Sequence, residues 1–279
     1  MSTPAELARR PLGVFDSGLG GLTVVRALRK HLPFEDIVYL GDTARVPYGT
    51  KGADTVIRYA EACTAFLVAR NVKAVVIACN TVSAVAPDTL RAKYTLPVLS
   101  VIEPGAAAAV AATRTGRIAV LATAGTVASG AYPRAIKALL PSAEVYARSA
   151  PLLVPLAEEG WVDGQVPELV LRSYLSDLRD TEVDTLILGC THYPLLRRVI
   201  DSVAQDLLGM HVRVIDSAET VTLDVAKRLR AQGLLHDAGP LAPRVGSTEL
   251  NVTDMPASFA RVAGRFLGSD LGEVHQVDF

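Results

Sequence analysis

Short, continuously apolar, β-branched runs recur along the chain. Each is followed by a turn and then by a segment with helical spacing. The runs are Leu12-Gly13-Val14-Phe15, Ile37 to Leu40, Ala74 to Ala78, Pro97 to Ile102, Ile118 to Leu121, Glu144 to Ala147, Thr185 to Leu188 and Val212 to Ile215. A strand with both faces buried in a parallel sheet is apolar throughout, whereas a half-exposed strand alternates. Between the runs, apolar residues at three- and four-residue spacing predict helices over 22–32, 54–70, 82–94, 132–139 and 166–179, and a further one over 219–232. Strands alternating with helices predict an α/β fold with mostly parallel sheets. Glu103-Pro104-Gly105 reads as a break where the chain crosses between domains, with a new helix from Ala106. A strand near 248–252, a helix near 256–266 and a short end strand near Val274 close the tail.

The rhythm is given twice. Phe15 aligns with Val120, Val38 with Val145, Cys79 with Cys190 and Val98 with Val212, at offsets of 105, 107, 111 and 114. Small, rising offsets are those of an internal duplication with a few insertions. The expectation is two pseudo-symmetric open domains facing each other across a cleft. The first is discontinuous, 1–103 with 213–279, and the second is 104–212.

Composition narrows the function classes. The formal net charge is -1, and 20% of residues are charged with both signs scattered. That excludes the basic stripe of a nucleic-acid binder. No apolar run reaches the roughly 18 residues of a membrane span, and Met1 to Pro11 has no apolar signal core. Three cysteines argue against a disulfide framework. The expected setting is reducing and cytoplasmic, with no membrane and no nucleic-acid partner.

The informative residues lie at the strand ends, where open α/β sheets bind their ligands. Asp16-Ser17-Gly18-Leu19-Gly20-Gly21 is a glycine-rich turn into a helix, suited to an anion or merely to a tight turn. Gly18-Leu19-Gly20 also begins like a dinucleotide fingerprint, with Asp42 placed to meet a ribose, but Thr23 stands at the third glycine position. Gly41 to Gly49 is a polar loop in which the Tyr48 hydroxyl is placed to meet a carboxylate or to pack on Pro47. Cys63 falls on the apolar face of its helix and reads as core.

Cys79 and Cys190 are different. Ala78-Cys79-Asn80-Thr81 and Gly189-Cys190-Thr191-His192 end equivalent strands, so the repeat carries two thiols to one cleft. A zinc site would want paired C-x-x-C spacing. Each cysteine alone is most often core packing. Two thiols on facing domains suit one reaction well: one base removes a weakly acidic carbon-bound proton and a second acid delivers one to the opposite face. A free thiol ionises near about 8.5, so the site must assist. A helix N-terminus after each strand is expected to lower the thiol pKa, and Asp16 and His192 are placed to accept thiol protons.

With these residues, the chain resembles the cofactor-independent glutamate racemases over essentially its whole length. The resemblance rests on Asp16 to Gly21, Gly41 to Gly49, Ala78 to Thr81, Ile102-Glu103-Pro104, Leu188 to Pro194 and Asp216-Ser217-Ala218, in that order. It implies interconversion of L- and D-glutamate for peptidoglycan, with no cofactor and no metal. It implies that Cys79 takes the α-proton of D-glutamate and Cys190 that of L-glutamate, assisted by Asp16 and His192 respectively. Asp16, Ser17, Tyr48, Gly49, Asn80, Thr81, Thr191 and His192 would hold the substrate. Glu158 resembles an acidic residue the family uses near the site, with Glu159 adjacent to it. Family members are commonly homodimers, and some bind DNA gyrase, a property for which this sequence carries no mark. The alternatives are an aspartate-type racemase, a nicotinamide enzyme built on the Gly18 loop, and a non-catalytic two-domain binding protein.

Overall fold

The computed structural model describes residues 3–236, 245–268 and 272–279. Among the described residues ten strands lie in two sheets. They are β1 (Leu12–Asp16), β2 (Ile37–Gly41), β3 (Ala74–Ile77), β4 (Val98–Ser100), β5 (Arg117–Ala122), β6 (Glu144–Ser149), β7 (Thr185–Gly189), β8 (Arg213–Asp216), β9 (Thr248–Val252) and β10 (Val274–Gln276). The first sheet runs β10-β9-β2-β1-β3-β4 and the second β6-β5-β7-β8. Every pairing is parallel. β1, β2, β3 and β7 are buried along their whole length, which is why they read as unbroken apolar runs.

The duplication is visible in the strand order. β2-β1-β3-β4 in one sheet matches β6-β5-β7-β8 in the other. The register repeats it, with Phe15 beside Ile77 and Val120 beside Ile187. The tail returns to the first sheet, where β9 pairs with β2 and β10 with β9.

Three expectations are corrected. A boundary before Arg213 would cut the second sheet, because β8 pairs with β7. Glu103-Pro104-Gly105 does not break the chain but lies in the first turn of the helix Ile102–Ala112. Proline is tolerated there because a first-turn N–H has no intrahelical partner to lose. The helix expected over 82–94 is two, Asn80–Ser83 and Pro87–Lys93, with Pro87 starting the second. Among the described residues no helix is long and apolar enough to cross a membrane.

Candidate active site

The carboxyl ends of the two sheets converge, and small residues let them touch. A Cβ on Gly20 would lie 2.1 Å from Thr191 Oγ1 and 2.6 Å from His192 Nδ1, on the other domain. The glycine of the first turn is therefore required by close domain approach. That space is filled by Thr191 and His192 of the second domain. Asp42 is not free for a ribose either. It is fully buried and accepts from Thr253 Oγ1 at 2.9 Å, from Arg45 Nε at 3.1 Å and from the Tyr48 hydroxyl. The Tyr48 hydroxyl thus donates to Asp42. What the loop offers the cleft at 48–49 is backbone: Gly49 packs against Thr123, and Gly125 against the Gly49 carbonyl, with 2.9 Å left for an added Cβ. Cys63 is the core thiol expected, sealed and 4.0 Å from Asp42 Oδ2.

Cys79 lies two residues beyond the end of β3 and caps the helix Asn80–Ser83, and Cys190 follows β7. Each is 5% exposed. The Cys79 sulfur donates to Ser17 Oγ at 3.6 Å. Burial, with the Asp16 carboxylate next, pushes the Cys79 thiol up to about 12, against the Val82 amide and the Ser17 hydroxyl. Cys190, from the other domain, adds to that upward push. The helix N-terminus expected to lower this thiol is therefore outweighed. Asp16 is 1% exposed and is itself pushed up by burial, although the positive His192 opposes this. Its oxygens accept from the Gly18 amide at 2.9 Å and from Thr191 Oγ1 at 3.4 Å, the second bond crossing between domains.

Cys190 has different neighbours. Its sulfur lies 3.8 Å from His192 Nδ1, and His192 Nε2 lies 2.8 Å from Glu158 Oε1. Burial opposes charge on His192, but the Cys190 sulfur and the Glu158 carboxylate outweigh it and raise the imidazole to about 10. Glu158 comes from the helix Leu153–Glu159, and its side chain is 42% exposed, so the relay ends at solvent. The geometry separates the two neighbouring acids: Glu158 bonds His192 and Glu159 faces outward. The tail helix Pro256–Leu267 braces the relay, with the Phe266 ring edge-on to His192 at 5.2 Å and Arg265 Nη1 donating to the Glu158 carbonyl at 2.8 Å.

Two groups at the interface escaped the sequence reading. Thr81 meets Thr123 at 3.0 Å and Thr126 at 3.4 Å, hydroxyl to hydroxyl across the domains. Tyr132 on the helix Ala131–Leu139 donates to Asn80 Oδ1 at 2.7 Å. The repeat held a signal for the threonines: Thr123 follows β5 as Ser17 follows β1. Asp216-Ser217-Ala218 proves to be a cap, with Asp216 accepting the Ala218 amide at 2.8 Å at the start of the helix Ser217–Ala231.

The chain matches the family model described as Asp/Glu/Hydantoin racemase over residues 22–223. It is 51% identical over 268 residues to a glutamate racemase of Geobacter metallireducens, covering 96% of each chain. Its structure resembles that of glutamate racemase from Thermus thermophilus in complex with β-chloro-D-alanine, at a TM-score of 0.85 and 42% identity over 97% of each chain. It also resembles that of glutamate racemase from Francisella tularensis in complex with D-glutamate, at a TM-score of 0.88 and 37% identity over 97% of this chain and 98% of that one.

Proposed function

The chain belongs to the Asp/Glu/Hydantoin racemase family, and from that premise we propose that it interconverts L- and D-glutamate through Cys79 and Cys190 acting from opposite faces of the α-carbon. The observation that carries the residue assignment is the convergence of two strand-end thiols from pseudo-equivalent strands on one interface, each beside its own proton-handling group.

In the L-to-D direction the Cys190 thiolate takes the α-proton and becomes a thiol. The electron pair left on carbon delocalises into the α-carboxylate. The Cys79 thiol then protonates the opposite face and becomes a thiolate. The reverse direction exchanges the two roles. Each turnover leaves the proton on the other sulfur, so the protein must return it before the next turnover of the same enantiomer. His192 and Glu158 give the Cys190 side a route to solvent. Ser17, Asn80, Thr81 and Thr191, with backbone at Tyr48 and Gly49, would orient the carboxylates and ammonium. Neutral donors preset in a water-poor cleft can do this without an arginine. In this reading the product D-glutamate feeds peptidoglycan, and the enzyme is a cytoplasmic homodimer.

The test is racemisation of glutamate by purified enzyme without added cofactor, followed by circular dichroism. Cys79→Ser and Cys190→Ser should each lower kcat by a thousandfold or more, since a serine hydroxyl is a far weaker acid than a thiol. Full turnover by both folded variants would refute the two-thiol assignment.

A further inference from the structure

Tyr132 is a buried tyrosine whose hydroxyl leaves its own domain. The ring is held in the second domain: a Cβ on Gly105 would lie 3.5 Å from it and one on Gly189 3.1 Å. The hydroxyl donates to Oδ1 of Asn80 at 2.7 Å, on the first domain and next in sequence to Cys79. Asn80 is 2% exposed, and its Nδ2 has no hydrogen-bond partner.

A primary amide carries one acceptor and two donors. Buried donors without partners are rare in folded proteins, and each calls for a specific reason. Here the acceptor end is occupied by tyrosine and the donor end is left open, one residue from a proposed reacting sulfur. The opposite arrangement would leave a bare carbonyl, which repels a carboxylate. Burial keeps the Tyr132 proton in place far above the ordinary tyrosine range, so the hydroxyl can donate at any working pH. Because the bond joins the two domains, it exists only when they are together.

We propose that Tyr132 is a positioning residue that fixes the Asn80 amide from the opposite domain, so that Nδ2 is preset to donate to a substrate carboxylate when the domains close. This rests on the glutamate reading above. Tyr132 touches no reacting atom; it acts through Asn80. Separation of the domains releases the amide to turn, so substrate release and loss of the preset donor are one event.

The test is steady-state racemisation of L- and D-glutamate by the full-length protein. Tyr132→Phe keeps the ring and its packing and removes only the hydroxyl. It should raise KM about tenfold in both directions, the loss of one well-placed hydrogen bond, with kcat falling less than threefold. Asn80→Ala should raise KM at least as much, and the double variant should be no worse than Asn80→Ala alone. A Tyr132→Phe enzyme with KM within twofold of the parent would overturn the proposal. So would a loss confined to kcat, or single-variant effects that multiply in the double. If Tyr132→Phe does not fold, Asn80→Asp decides the matter: it keeps the acceptor for Tyr132 and replaces the donor with a charged oxygen. KM for glutamate should then rise more than tenfold, and an unchanged KM would overturn the proposal. Failure of the underlying reading is seen separately, as an unmodified enzyme that does not racemise glutamate.

Discussion

The two thiol half-sites share a backbone plan and differ in electrostatics. Both cysteines follow the third strand of the repeat, both sit at the domain interface, and both are 5% exposed. Around Cys79, burial and then the sealed Asp16 carboxylate push the thiol up to about 12, against the Ser17 hydroxyl and the Val82 amide. Around Cys190 lies an imidazole held protonated up to about pH 10 and backed by a carboxylate that reaches solvent. Duplication supplied equivalent positions; divergence of one neighbour at each gave them different electrostatic surroundings. The proposed two-base reaction needs one sulfur to act as base while the other acts as acid, and these unequal neighbours are the groups that would set which does so.

The largest effect should come from removing one sulfur and asking what the other still does. Cys190→Ser keeps the Cys79 side, so it should wash solvent deuterium into the α-position of D-glutamate and not of L-glutamate, while racemisation is lost. Cys79→Ser should do the reverse. The readout is the α-proton signal by NMR in deuterium oxide. Exchange of both enantiomers by either variant would refute the facial assignment.

Next come the neighbours. Enantiomers are equal in energy, so kcat/KM must be the same from either side whatever is mutated. A difference between the half-sites can therefore appear only in kcat, KM and isotope effects taken separately. His192→Asn weakens proton transfer at Cys190 and should lower kcat/KM roughly a hundredfold, within the range for a positioned acid–base group. It should enlarge the primary isotope effect for α-deuterated L-glutamate and shrink it for the D-enantiomer. Asp16→Asn should give the opposite pattern. Identical patterns from the two variants would mean that the half-sites are not specialised.

The sequence made the backbone half of this comparison legible and left the electrostatic half in outline. β1, β2, β3 and β7 could be read because strands buried on both faces are apolar throughout. Asp16 and His192 could be named because they lie within the motifs. Residues whose meaning depends on a partner far along the chain could not be placed. Asp42 and Tyr48 looked ligand-facing because a carboxylate and a hydroxyl in a polar loop usually are, yet they satisfy each other and Thr253, which the tail brings back. Tyr132 looked like a helix residue, since nothing local shows a bond to Asn80. Pro104 misled because a proline at a helix start and a proline at a chain break look alike without the turn around them.

A smaller effect separates the half-sites by pH. His192 is raised in the folded protein from its ordinary 6.5 to about 10. A group raised on folding stabilises the native state fully below its unfolded value, and that contribution declines above it and is lost as pH passes the folded value. The stability gap between the parent and His192→Asn should therefore be largest below about pH 6.5, shrink through pH 7 to 10, and level off above 10. Chemical denaturation across that range measures it, and a gap constant from pH 5 to 10 would contradict the charged relay.

The smallest effect tests the outer end of that relay. Glu158 Oε1 is 2.8 Å from His192 Nε2, but its side chain is 42% exposed, so water screens the charge it contributes. Glu158→Gln keeps a hydrogen-bond acceptor for the imidazole and removes the negative charge. The histidine should then titrate lower, and kcat should fall severalfold, far less than for His192→Asn, because Cys190 still holds the other ring nitrogen. The loss should grow as pH rises from 7 to 9, where the imidazole of the variant begins to lose the proton that the parent keeps. Glu159→Gln supplies the control, since Glu159 faces outward and should leave kcat and its pH profile unchanged. Two variants of neighbouring residues, identical in chemistry, thus isolate the contribution of a single 2.8 Å contact. If they behave alike, the route from Cys190 to solvent does not run through Glu158, and the proposed difference in proton access between the two half-sites goes with it.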